Sequence, residues 1–195
     1  MPDDPRLTIP VHLGTIRAGR RSAHVARLLL GRLEGRDDLA TALIDLADLD
    51  LPVMRHGLGE TDDAPPGAVG LGEELGRADG LVIVAPEYKN GYPGSLKNAF
   101  DYLPAGILRR KPVGIATVSS GGFGGLNCLA QLRLVCLAMG GVPIPVALPV
   151  SRVDEPGTLR DPKLAARVGP FIDELIWYVR ALASPRGRVE DSGSP

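Results

Sequence analysis

The sequence predicts an α/β fold in which a doubly wound, five-stranded parallel sheet carries helices on both faces. Three observations predict it. Strand-like and helix-like segments alternate along most of the 195-residue chain, as they do in βαβ units. The run Gly80-Leu-Val-Ile-Val-Ala85 is apolar at consecutive positions and β-branched at its centre, the mark of a strand buried on both faces. Three turns rich in glycine or proline each follow a strand, so they share the carboxyl edge of the sheet, where open α/β folds bind ligands.

Taken in order, residues 7–13 form a partly alternating strand that ends in the loop Gly14-Thr-Ile-Arg-Ala-Gly19, and residues 22–33 then place Val25, Leu28, Leu29 and Leu33 on one side of a helix. Residues 39–46 make a second strand centred on Ala42, Leu43 and Ile44. Residues 48–67 lack periodicity and read as a loop, with 62–67 its most mobile part; a structureless loop of that length is expected to serve a site or an interface. A short helix over 69–78 leads into the buried strand 80–85. The turn 86–94 follows, and then a helix in which Leu96, Ala99, Phe100 and Leu103 recur on one stripe. Residues 113–118 are a fourth strand, 119–125 a second glycine-rich loop, and 126–139 a helix stopped by Gly140 and Gly141. Residues 142–150, broken by Pro143, Pro145 and Pro149, suit only an edge strand. A closing amphipathic helix spans 163–183. One domain over 1–184 and a disordered polar tail over 185–195 are expected.

Whole-chain properties narrow the function. With 22 basic and 23 acidic residues the net charge is −1, which argues against a nucleic-acid or membrane-surface partner. Cys128 and Cys136 fall eight positions apart in one predicted helix, about 12 Å at the helical rise, too far to bridge, so both are expected as reduced core thiols. The amino terminus lacks the basic-then-apolar pattern of an export signal, and no apolar stretch approaches the ~20 residues of a membrane span. A cytoplasmic protein is expected.

The chemistry lies in the loops. Small residues, a helix start and Arg17, Arg20 and Arg21 suit a phosphate: amides and the helix dipole attract the anion and arginine neutralises it. A tight turn with solvated arginines is the plainer alternative. Gly14 and Gly19 have the spacing of a Walker A loop, yet Arg20-Arg21-Ser22 stands where lysine and then serine or threonine belong. The Rossmann glycine pattern is absent from this turn, as is a Gly-x-Ser-x-Gly elbow from the chain. The histidines, His12, His24 and His56, have no metal spacing, and no metal is expected. A phosphate cradle and a second glycine loop without catalytic machinery point to a bound cofactor as the reactive group.

With these motifs in view, the chain resembles the NADPH-dependent FMN reductase family of flavodoxin-like proteins, which includes quinone, azo-dye and chromate reductases. The resemblance rests on residues 14–20, on the run Pro86-Glu-Tyr-Lys-Asn-Gly-Tyr-Pro-Gly94 with Ser95, Lys97 and Asn98, and on 121–125 followed by Gln131, Arg133, Gly141 and Pro143. It spans roughly 7–146. It implies sheet order 2-1-3-4-5. It implies that Thr15, Arg17 and Ser22 contact the FMN phosphate with Arg20 as a helper, that Pro86, Glu87, Tyr88, Lys89, Asn90 and Gly91 run along the flavin ring, and that Ser119, Gly121, Gly122 and Gly124 close its other edge. Side chains at Gly91, Gly121 or Gly122 would intrude on that ring. Tyr88 is expected either to touch the flavin or to pack the turn. A homodimer or homotetramer with the flavin near the subunit boundary is implied too. Two positions depart from the family: Thr15 replaces its usual serine and keeps the hydroxyl, while Lys89 replaces its usual asparagine and adds a cation.

The expected activity is therefore hydride transfer from NADPH or NADH to FMN, and then reduction of a small-molecule acceptor: a quinone, an azo compound, a metal oxyanion or free flavin. No residue is expected to be catalytic, because FMN carries the chemistry. A non-catalytic flavin-binding electron carrier or regulator, and a nucleotide-binding module or kinase, are the rival readings.

Overall fold

The computed structural model describes residues 6–153, 159 and 161–183; the expected tail at 185–195 lies outside them. The first strand is divided by Pro10 into β1 (Leu7–Thr8) and β2 (Val11–Leu13). Proline has no N–H to give to the ladder, but the N–H groups of Ile9 and Val11 still donate to the carbonyls of Ala40 and Ala42, so the chain stays in line. Helix α1 (Ser22–Glu34) follows. The second strand is likewise split, into β3 (Leu39–Ala40) and β4 (Leu43–Asp45), where the Thr41 hydroxyl donates to the Ile9 carbonyl. A 3-10 turn, Leu46–Asp48, begins where the predicted strand was expected to continue.

Helix α2 (Pro66–Arg77) starts three residues before the predicted 69, so Pro66 and Gly67 belong to a helix and not to the mobile end of the loop. Proline suits the first helical position because that N–H has no helical partner to lose. The missing side chain of Gly67 also lets this helix start lie directly on the Leu49 carbonyl. Strand β5 (Leu81–Pro86), helix α3 (Gly94–Tyr102), strand β6 (Pro112–Val118) and helix α4 (Leu126–Ala138) come next. The predicted edge strand is divided into β7 (Val142–Pro143) and β8 (Leu148–Val150), both parallel to β6. Helix α5 (Pro162–Ala183) closes the fold.

All strand pairs are parallel, and the order β4-β2-β5-β6-β7, with β8 also on β6, is the predicted 2-1-3-4-5 with three strands in two pieces. Every residue of β5 and β6 is buried, as a sheet covered on both sides requires. On one face α1 and α5 pack Leu29, Leu33, Phe171 and Leu175 against Val82 and Val84. On the other, α2, α3 and α4 pack Leu75, Leu96 and Leu132 against Ile83 and Ile115. Lys111 is buried because its ammonium donates to the Leu75 and Gly76 carbonyls at the end of α2, a cation on the negative pole of a helix.

Candidate active site

Loops that leave β2, β5 and β6 meet at the carboxyl edge of the sheet. Between them lies a crevice of about 160 Å³. Arg17, Gly19, Arg20, Arg21 and Ser22 line it from the first loop, Pro86, Glu87 and Tyr88 from the second, and Val118, Ser119 and Ser120 from the third. The three sequence motifs are thus one site in space. Val118 and Val153 are lining residues that sequence reasoning passed over, whereas Arg21 belongs to the basic run already read as a phosphate cradle.

The first loop is held from below. The Thr15 and Tyr88 side-chain oxygens are 2.9 Å apart, and the Thr15 oxygen also accepts from the Arg17 N–H at 3.3 Å. Thr15 itself is buried, so it braces the crevice floor. The Arg17 guanidinium carbon stands 5.9 Å from the Tyr88 ring centroid, within cation–π range. Arg20 forms an ion pair with Asp45 at the end of β4, with both side chains mostly buried. That pair fixes the guanidinium at the mouth of α1.

The start of α1 is prepared for an anion. No side chain caps it, and no acidic residue stands in its first turn. Among the described residues, the Ser22 hydroxyl and Arg20 Nε are buried polar atoms without a hydrogen-bond partner. An uncapped helix start offers N–H donors and a positive pole, and a buried hydroxyl left unpaired is costly unless something fills the site. A phosphate monoester fits this donor set.

The second turn is tight. Tyr88 and Gly91 exchange backbone hydrogen bonds at 2.8 and 3.0 Å around Lys89 (φ 50°) and Asn90 (φ 63°), the two left-handed residues of a type I′ turn. Glu87 accepts from the Cys128 N–H at 3.0 Å, thereby capping α4. Asn90 and Gly91 lie against Gln131 of α4, whose amide donates to the Asn90 carbonyl at 2.9 Å. Lys89, Asn90 and Gly91 accordingly stand beside the crevice and do not line it.

In the third loop, Gly121 and Gly122 face open space, with nothing within 4 Å of an added side chain, which is the room a flat ring needs. Gly124 turns inward: at φ 64°, with Pro149 Cβ only 2.8 Å from where a side chain would start, it accommodates the β8 backbone. The Thr117 hydroxyl donates to its carbonyl at 2.7 Å.

Other candidate groups are excluded by their surroundings. Burial lowers His12 from its ordinary 6.5 to about 4 against the opposing pull of Asp45; both its ring nitrogens lack partners and the ring stands edge-on to Phe100. It is a neutral core residue of β2. Burial pushes the Cys128 and Cys136 thiols up to about 12, with Glu87 adding to the rise at Cys128, so neither is a nucleophile. The described residues hold no group of three potential metal ligands and no helix long and apolar enough to cross a membrane.

Residues 8–154 match the sequence model of the family described as NADPH-dependent FMN reductase. The chain is 31% identical over 172 residues to a quinone reductase of Escherichia coli K12, covering 87% of each. It is 32% identical over 172 residues to an NADPH azoreductase of a Bacillus strain, covering 88% of this chain and 89% of the other. Among solved structures it is similar to the flavoenzyme FerB, an NAD(P)H:acceptor oxidoreductase of Paracoccus denitrificans, with TM-score 0.72, 25% identity and coverage of 90% and 98%.

Proposed function

The chain belongs to the NADPH-dependent FMN reductase family, and on that premise we propose how its own residues hold FMN and serve an FMN-dependent NAD(P)H oxidoreductase with a small-molecule acceptor. The observation that carries the reading is the buried, unpartnered Ser22 hydroxyl at an uncapped helix start, ringed by Arg17, Arg20 and Arg21. Ser22, Arg17 and Arg20 hold the phosphate there. Thr15 acts through Tyr88, keeping that ring upright beside the crevice. The backbone of 86–88 and the open glycines 121 and 122 give the flavin ring its edges. Glu87 and Gln131 lock the second turn to α4 so that this edge stays rigid.

FMN held there would supply the redox chemistry, the transfer of a hydride equivalent from NADPH or NADH to the acceptor. The protein's part is positioning: charge neutralisation at the phosphate, a rigid platform, and one side left open to visiting substrates.

The reading includes a homodimer in the cytoplasm. The outer side of α4 supports self-association: Leu126, Leu134 and Leu137, with Phe123 before them, are exposed. From Ser119 to Val150 the only charged side chain is that of Arg133, whose guanidinium donates to the Pro145 carbonyl. A surface with a single cation, held on its own chain, meets its own copy with little like-charge repulsion.

The experiment is the visible spectrum of the purified protein, with FMN added back if needed, followed by NADPH oxidation with a quinone present. A yellow protein that turns over confirms the reductase. A yellow protein with no turnover is an electron carrier, and failure to bind FMN overturns the reading.

A further inference from the structure

The positive charge at the start of α1 does not end at the phosphate crevice. Gly19, Arg20 and Arg21, which line that crevice, also line an open groove of about 420 Å³ whose other walls are Ala23, His24 and Arg27 of α1. The divide between the two is low: Gly19 stands at φ 67° with nothing within 4 Å of an added side chain. The loops after β5 and β6 line the crevice and not the groove. The order in space is therefore ring platform, phosphate cradle, groove.

We propose that this groove holds the second phosphate and the adenosine of FAD, so that the protein takes FAD as well as FMN; the proposal rests on the phosphate reading above. The buried, unpartnered Ser22 hydroxyl fixes where the first phosphate sits. FMN ends there and leaves the groove without an occupant. FAD runs from the same phosphate into a second one and then an adenosine, which is the order the two cavities impose. Among the described residues the groove is lined by three arginines and a histidine and by no carboxylate. Asp45 is paired with Arg20, yet Arg20 Nε is buried without a hydrogen-bond partner, so this guanidinium keeps a donor for a phosphate oxygen.

His24 and Arg27 suit the adenine. Three positions apart, they share a face of α1, and both are exposed. Imidazole and guanidinium are flat groups on which a purine stacks, and the guanidinium adds cation–π attraction. A lysine in either place would offer charge without a plane. Ala23, also in the lining, adds an apolar floor without bulk. A free phosphate would use the charge of this groove and none of its flat surface.

The test uses the full chain freed of flavin, in wild type, Arg27→Glu and His24→Glu, with FMN and FAD binding read by equilibrium dialysis. Salt at about 0.15 M screens exposed charges beyond about 8 Å, so the variants report close contacts. The wild type is expected to bind FAD at least as tightly as FMN. Each variant is expected to lower FAD affinity about tenfold or more and to leave FMN affinity unchanged. A wild type that binds FMN and binds FAD more weakly overturns the proposal and leaves the reductase reading intact, as does a FAD affinity that neither variant changes. An equal loss for both flavins overturns it too, since it would put Arg27 and His24 at the shared phosphate. If the variants instead weaken NADP+ binding to the FMN-loaded protein and spare FAD, the groove belongs to the nicotinamide nucleotide and the proposal falls. A wild type that binds neither flavin takes the phosphate reading down as well.

Discussion

The side-chain oxygens of Thr15 and Tyr88 lie 2.9 Å apart although 73 residues separate them in the chain. This bond ties the phosphate loop to the turn after β5. Tyr88→Phe and Thr15→Ala should each weaken FMN binding by about two- to tenfold, the worth of one hydrogen bond of about 0.5–1.5 kcal/mol. The double variant should be no weaker than the worse single one, because both remove the same bond. Titration of FMN fluorescence reads all three, and fully additive losses would show that the two residues act independently.

Asp45 anchors Arg20 with both side chains mostly buried. Asp45→Asn should lower the unfolding free energy by about 1–3 kcal/mol, between the values for exposed and fully buried pairs. Saturating FMN should narrow the deficit, since a phosphate gives the guanidinium a second anionic partner. Urea unfolding with and without FMN measures both effects; a deficit that FMN leaves unchanged would remove Arg20 from the phosphate site.

His12 gives the fold an acid-sensitive point. Burial depresses its pKa from 6.5 to about 4, so the unfolded chain binds the proton more readily than the native one. The stabilisation from keeping the ring neutral is complete above pH 6.5 and is lost as pH falls toward about 4, up to about 3 kcal/mol in all. His12→Leu should flatten that segment of the stability–pH curve. A variant curve as steep as the wild type in this window would assign acid lability to the carboxylates instead.

Lys89 occupies a left-handed position at φ 50°, which asparagine adopts at lower cost. Lys89→Asn should raise the thermal midpoint by about 1–4 °C, equivalent to roughly 0.5–1 kcal/mol. It should also lower the FMN midpoint potential if the ammonium lies near the ring. An unchanged potential together with a higher midpoint would mean that the side chain points to solvent.

Leu134 is 68% exposed on the outer side of α4. Leu134→Glu places two like charges in any self-paired interface there and should give a monomer by sedimentation, with the secondary structure of one subunit intact. A dimer that survives this change uses another surface.

Sequence by itself determined the burial of β5 and β6 and the place of the three turns at one edge, while the sheet order came only from the family resemblance. Periodicity and glycine or proline punctuation are local signals, and each is written within a dozen residues. Pro10 and Thr41 show where local reading stopped: whether a strand stays paired through a proline or a threonine depends on the neighbour that accepts or supplies the hydrogen bond. The same holds at the site. Arg17, Arg20 and Ser22 were legible as a phosphate cradle because they stand together in one loop. Glu87 capping α4, Asp45 fixing Arg20, and the Asn98 clamp on the loop at Pro52 and Met54 each join residues 25 or more positions apart. Only folding brings such partners within hydrogen-bond distance, so the tertiary structure alone decided which side chains line the crevice and which ones brace it.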